Sequence, residues 1–261
     1  MAPRHCNLLP RFLASLFALT TGCVVAADLP PQPKEIAPPS IRELSDGQLA
    51  IGPITLNRTS RSVRFPAAIN ATNGLVEYLL VHHSGKTHES LLKTDVEPYH
   101  LQIAMLLLGA KGANPALLTN APSGGPIHNS ELVRLNPPPI PGTPVTIDVE
   151  WKSNGKTIRR PIESLLYNRK TKKSMSSGPF TFSGSIVWEN KFIAQIEGSI
   201  ISVITDSTAI FNNPRKDRDA DDVWYVQENI LPPDGTPAFV EIRLVKSNDG
   251  QNEKKAPAKR Q

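Results

Sequence analysis

Residues 74–112, GLVEYLLVHHSGKTHESLLKTDVEPYHLQIAMLLLGAKG, constrain the fold most, because the densest apolar run, four of the six histidines and the clearest helix signal occur together there. Leu75 to Val81 is apolar, branched or aromatic except at Glu77, which suits a strand buried on both faces. Ser84-Gly85 breaks the pattern and Lys86 to Thr94 follows as a second extended segment, so a two-residue hairpin is the simplest connection. That register sets His83 opposite Lys86, Val81 opposite His88 and Leu80 opposite Glu89. His83 and His88 then share one face at about 7–8 Å, with His82 and Glu89 on the other.

The next segment reads as a helix over about 98–109. Asp95 or Glu97 precedes Pro98, which fits the first helical position because its missing N–H has no intrahelical partner there. Leu101, Ala104, Met105 and Leu108 recur at helical spacing, and Ile103, Leu106 and Leu107 fill the other side, predicting a helix buried all round. Gly109 suits a left-handed C-terminal cap. The segment is too short to span a bilayer.

At the N-terminus, Arg4, His5 and Arg11 precede an apolar stretch from Phe12 to Ala27 with Val25-Ala26-Ala27 before Asp28, the pattern of a secretory signal peptide over residues 1–27. The alternative is lipidation at Cys23, which follows Gly22, although Thr20 stands where a lipid-attachment motif prefers leucine. The expectation is therefore an exported protein, periplasmic or secreted, or else a lipid-anchored envelope protein, with no transmembrane span in its mature part.

Cys6 and Cys23 are the only cysteines. A chain cleaved after Ala27 has no thiol for disulfides, thiolate zinc sites, iron–sulfur clusters or a cysteine nucleophile. Such a chain must rest on its hydrophobic core. The formal charge of +5 is concentrated at the ends: without Arg4, Arg11 and the tail from Lys246, basic and acidic residues balance. A neutral body offers no basic face for nucleic acid.

Residues 28–44 form a Pro-rich linker, 45–245 a single domain and 246–261 a disordered basic tail. Within the domain, Leu49–Leu56, Ser62–Ile69, Val145–Trp151, Lys156–Arg160, Phe180–Trp188, Phe192–Ile196, Ser199–Ile204 and Ala238–Val245 read as strands. Asn154-Gly155 is a hairpin turn, Glu189-Asn190-Lys191 a connection, and Pro161–Leu166 a single helical turn. Residues 110–144 are a long Gly/Pro/Asn/Ser-rich loop. The fold class expected is α+β, a mainly antiparallel sheet with one strong buried helix, the alternative being mainly β.

Gly85-Lys86-Thr87-His88-Glu89-Ser90-Leu91-Leu92, His100-Leu101 and the LLLG of residues 106–109 resemble the YdjY-type domain of exported bacterial proteins. Phe182-Ser183-Gly184-Ser185, Gly198-Ser199, Asp206 with Ala209, Asp222 with Trp224, Leu231-Pro232-Pro233 and Gly235-Thr236-Pro237 are similar too. The resemblance covers residues 45–245 and implies no particular activity.

Familiar catalytic signatures are incomplete. Gly85-Lys86-Thr87 has Leu80 where a phosphate-binding loop needs glycine. Ser90-Leu91-Leu92-Lys93 matches a serine–lysine motif in letters but falls on a strand. Asp217 to Asp222 alternates carboxylates without the glycine and distal glutamate of a calcium loop, and reads as a solvated loop paired with the basic run Arg169–Lys173.

The remaining candidates for a metal- or ligand-binding site are His83, His88, Glu89 and His100, with His82 beside them. Imidazole and carboxylate together can hold zinc and leave a position open for water. The same residues can equally lock hairpin to helix through hydrogen bonds. Two function classes follow: a non-enzymatic binding or assembly module facing an envelope protein or small ligand, which the incomplete catalytic motifs favour, and a metal-assisted envelope hydrolase.

Overall fold

In the computed structural model, residues 37–45, 47–113 and 139–245 are described. The expected signal peptide, most of the linker, Cys23, the centre of the 110–144 loop and the basic tail lie outside them. The described residues from 38 to 245 belong to one compact unit.

The described chain is mainly β. β1 (Ile41–Ser45) pairs with β2 (Gln48–Ile51), which turns at Gly52-Pro53 into β3 (Ile54–Asn57), and β3 pairs with β4 (Ser62–Ile69). The expected Leu49–Leu56 strand is thus a tight hairpin, with Gly52 at φ +55° making the turn. Strand pairing begins at Ile41, within the expected linker.

Beyond β4 the sheet closes on itself. β5 (Tyr78–His82), β6 (Ser90–Thr94), β7 (Thr143–Ser153), β11 (Phe180–Phe182), β14 (Ser199–Ser202), β15 (Phe211–Asn212) and β17 (Pro237–Leu244) complete an eight-stranded barrel in the order β4-β17-β7-β11-β15-β14-β5-β6, with β6 returning to β4. Closure leaves these strands few free edges. Alternation sets inside from outside: Ala238, Val240, Ile242 and Leu244 of β17 and Val145, Ile147, Val149 and Trp151 of β7 are buried, while their neighbours face outward. On the outer face Glu241 lies between Arg159 and Arg243, and Arg64 bonds Glu150 at 2.7 Å. β8 (Lys156–Pro161) pairs with β7 through the Asn154-Gly155 turn, both residues at positive φ as a two-residue hairpin requires.

The pairing of β5 with β6 corrects the hairpin expectation. The two strands are parallel, Tyr78 beside Ser90 and His82 beside Thr94. Residues 83–89 fold back along β5 through a turn and a short 3-10 helix at Thr87–Glu89. Parallel neighbours usually need a crossover of about a dozen residues. This shorter return works because it stays in contact with the strand end: Gly85 N–H bonds the His82 carbonyl and Glu77 N–H bonds that of Glu89.

The helix α1 (Pro98–Leu107) starts and stops as its sequence specifies. Pro98 occupies the first turn after Glu97, and Gly109 at φ +82° ends it, with Gly109 N–H on Leu106 O and Ala110 N–H on Met105 O closing a Schellman cap. Its burial does not follow the expectation. Pro98, Leu101, Ala104 and Met105 are buried, but Leu106 and Leu107 are 51% and 47% exposed. α1 buries only one face, with β3 among its neighbours. The mainly β class therefore replaces α+β.

Two further corrections concern short apolar runs. In place of the expected Phe192–Ile196 strand, Ile193–Glu197 forms a helical turn, α2, capped by Gly198 at φ +72°. The expected Phe180–Trp188 strand breaks at Gly184 and Ser185, both at positive φ, leaving β11 in the barrel. Its second half, β12 (Val187–Trp188), forms a separate hairpin with β13 (Lys191–Phe192) through Glu189-Asn190. A small three-stranded ribbon of β9 (Leu166–Asn168), β10 (Lys173–Ser174) and β16 (Trp224–Val226) lies outside the barrel sheet. The expected pairing of basic run with acidic loop is present there as Lys170 Nζ to Asp222 at 2.8 Å.

Candidate functional site

The strand end at His82 gathers several polar groups. Fully paired β5 and the close packing of Gly85 on Gly198 leave His82 only 5% exposed, and its N–H bonds the Gly198 carbonyl at 2.8 Å. Its Nδ1 lies 2.6 Å from Ser84 Oγ and 3.4 Å from the Ser84 backbone nitrogen. A backbone N–H can only donate, so Nδ1 is the acceptor and the neutral ring carries its proton on Nε2. That Nε2 faces Glu97 Oε2 at 3.8 Å, beyond hydrogen-bond length, while the same oxygen accepts from Gln195 Nε2 at 2.6 Å. Burial and the neighbouring His83 ring, 4.1 Å away, hold His82 below the ordinary histidine value; Glu97 and Asp95 oppose them.

Serine, neutral imidazole and carboxylate have the composition of an acyl-transfer relay. Here the serine sits on the same turn as the histidine, and the carboxylate is bonded to glutamine. The arrangement ties the end of β5 to the start of α1 and to α2. A second chain of bonds ties the return loop to the barrel. Lys86 Nζ donates to Tyr78 Oη at 2.8 Å, Tyr78 donates to Asp206, and Thr208 Oγ1 donates to Asp206. Burial and Asp206 push the Tyr78 phenol up, keeping it protonated as the donor.

The expected metal group is distributed along β5. His83 Nδ1 contacts Asp95 at 3.1 Å, at the strand's C-terminal end. His88 Nε2 and Glu89 Oε2 are 3.9 Å apart at the other end, where the Glu89 carbonyl meets Glu77 N–H. Five strand residues at about 3.3 Å each put roughly 17 Å between the two ends. His100 is in the first turn of α1 beside Gly52. The parallel pairing thus separates His83 from His88, which an antiparallel hairpin would have made neighbours. Among the described residues, no three His, Cys, Asp or Glu side chains are grouped so as to hold a metal ion.

A separate concavity, an open cleft of about 760 Å³, lies beside the three-stranded ribbon, within the usual size range of ligand sites. Register builds its floor: Tyr167 of β9 is directly opposite Tyr225 of β16, and the rings lie 6.1 Å apart. Arg169, just after β9, donates from Nη1 to Tyr225 Oη at 2.6 Å and lies over that ring. One wall is Thr72, Asn73 and Gly74, anchored by Val226 N–H to Gly74 O. The other runs from Glu228 to Pro233, with Asn229 at φ +65°, a conformation asparagine tolerates.

The sequence singles out neither tyrosine of this floor, and Arg169 stands out only as the first residue of the basic run. Leu231-Pro232-Pro233 is noted above only through family resemblance. A usable signal exists in composition: the chain has four tyrosines, and two of them form this pair.

The YdjY domain family model matches residues 54–243. No curated protein matches the chain, and no solved structure does. Among the described residues no helix is long and apolar enough to cross a membrane.

Proposed function

The chain belongs to the YdjY domain family, and from that premise we propose that it is a non-enzymatic binding module exported to the bacterial envelope, with the Tyr167–Tyr225 cleft as its ligand seat. The cleft carries this reading: about 760 Å³ in volume, it has a built aromatic floor. The basic, apolar N-terminus and the Pro-rich segment support export of a domain held on a spacer. A metal-assisted hydrolase has less to rest on, since His83 and His88 lie at opposite ends of β5. In this reading the His82 cluster is structural.

Two measurements test it. The full chain and Ser84→Ala, His82→Gln and His88→Ala variants are screened against ester, amide and glycoside substrates, with metal content measured in parallel. The expected result is no turnover. Activity lost in any of these variants while it stays folded overturns the proposal. Fractionation of cells expressing the full chain should place it outside the cytoplasm, and a cytoplasmic, uncleaved protein removes the export part.

A further inference from the structure

The geometry points to an oligosaccharide, a run of pyranose rings crossing the cleft, as the ligand class of the Tyr167–Tyr225 site. This inference rests on the reading of the cleft as a ligand seat.

The chemistry of the lining decides among ligand classes. Two partly exposed tyrosine rings, 6.1 Å apart and tilted by 46°, line a solvent-open surface, with Arg169 over the Tyr225 ring. Aromatic faces of this kind accept any flat apolar partner, and the C–H face of a pyranose is one. Around them, Thr72, Asn73, Glu228 and Asn229 make no side-chain hydrogen bond to any described residue, and Tyr225 Oη, which accepts from Arg169, keeps its own proton to donate. Hydroxyl and amide groups both donate and accept, whereas the carboxylate only accepts. A sugar hydroxyl likewise does both, so a polyol can satisfy this mixed set.

Other classes fit less well. A phosphate or nucleotide calls for several cations, and this cleft offers Arg169 opposed by Glu228. A lipid tail calls for an apolar lining, and here the polar groups outnumber Leu231 and the two prolines. A proline-rich peptide offers carbonyl acceptors but few N–H donors, which would leave the Glu228 carboxylate of this lining without a partner. The shape adds a point: an open cleft admits a segment of a longer chain lying across it more readily than it encloses a single sugar.

The test is an amide-resolved NMR titration of the full chain with three separate probes: chitotetraose, cellotetraose and a synthetic peptide of residues 28–40. The expected result is saturable shifts at Asn73, Tyr167, Tyr225 and Asn229 with at least one sugar. Tyr225→Ala and Tyr167→Ala should weaken that binding at least tenfold. Tyr225→Phe, which keeps the ring and loses the hydroxyl, should weaken it less, and thermal unfolding checks that each variant is folded. Shifts at these amides with the peptide and with neither sugar overturn the oligosaccharide inference and leave the cleft as a binding seat. No shift at the cleft with any probe, or sugar binding unchanged in both alanine variants, overturns the inference, and in the first case the seat as well.

Discussion

A single methyl group added at Gly85 tests the backbone contact that fixes His82. A Cβ built there lies 2.7 Å from the Glu197 carbonyl oxygen, 3.0 Å from Gly198 Cα and 3.2 Å from the His82 carbonyl oxygen. These neighbours are all backbone and cannot rotate away. Gly85 is not among the glycines at positive φ, so the cost of Gly85→Ala is steric. Overpacking costs about 1–3 kcal/mol, and the reduced freedom of alanine in the unfolded chain offsets about 0.4–1 kcal/mol. The net is roughly 1–2 kcal/mol. Gly235→Ala is the converse, with φ +77° and nothing within 4 Å. Only the left-handed conformation opposes it, for a net of about 1 kcal/mol or less. Gly198→Ala combines both terms, with φ +72° and a Cβ 2.8 Å from Gly85 Cα, and should cost about 2–4 kcal/mol. Urea unfolding followed by tryptophan fluorescence gives the midpoints, at constant slope if only stability changes. The expected order of destabilisation is Gly198→Ala, then Gly85→Ala, then Gly235→Ala. If Gly198→Ala is no worse than Gly235→Ala, the crowding argument is refuted.

Two more outcomes follow from the structure. Leu101→Ala removes a fully buried side chain from α1 and should cost about 3–4 kcal/mol, whereas exposed Leu106→Ala should stay within about 0.5 kcal/mol; equal effects in the same urea assay would restore a helix buried all round. His82 has a folded pKa below its ordinary 6.5, so the unfolded chain binds the extra proton first as the pH falls. Its contribution is complete above pH 6.5 and is lost as the pH falls through the depressed folded value. Stability should therefore drop between pH 7.5 and 5, and His82→Gln should flatten that drop; an unchanged slope in the variant argues against the assignment.

The local features of the fold are legible in the residues that make them. Ser62–Ile69 is a strand as read, Asn154-Gly155 makes its hairpin, and Pro98 and Gly109 bracket the helix. What fails is what depends on distant partners. Nothing local distinguishes a hairpin from a parallel return after Ser84-Gly85, since the decision comes from pairing of β5 with β14 and of β6 with β4. Ile193 to Glu197 carries an apolar pattern too short to separate strand from helix. Apolarity on every side of α1 does not translate into burial, since Leu106 and Leu107 remain exposed. The candidate site divides in the same way. The histidine-rich stretch is visible in sequence, but its grouping followed from the wrong register. The tyrosine pair exists only once β9 and β16 meet.

The position of β17 also constrains how the molecule is made. It follows every other barrel strand in sequence, yet it lies between β4 and β7 and pairs with both along its length. A nascent chain that has not released Leu244 has two unsatisfied strand edges and no closed barrel. Until then it is vulnerable to aggregation through those same edges.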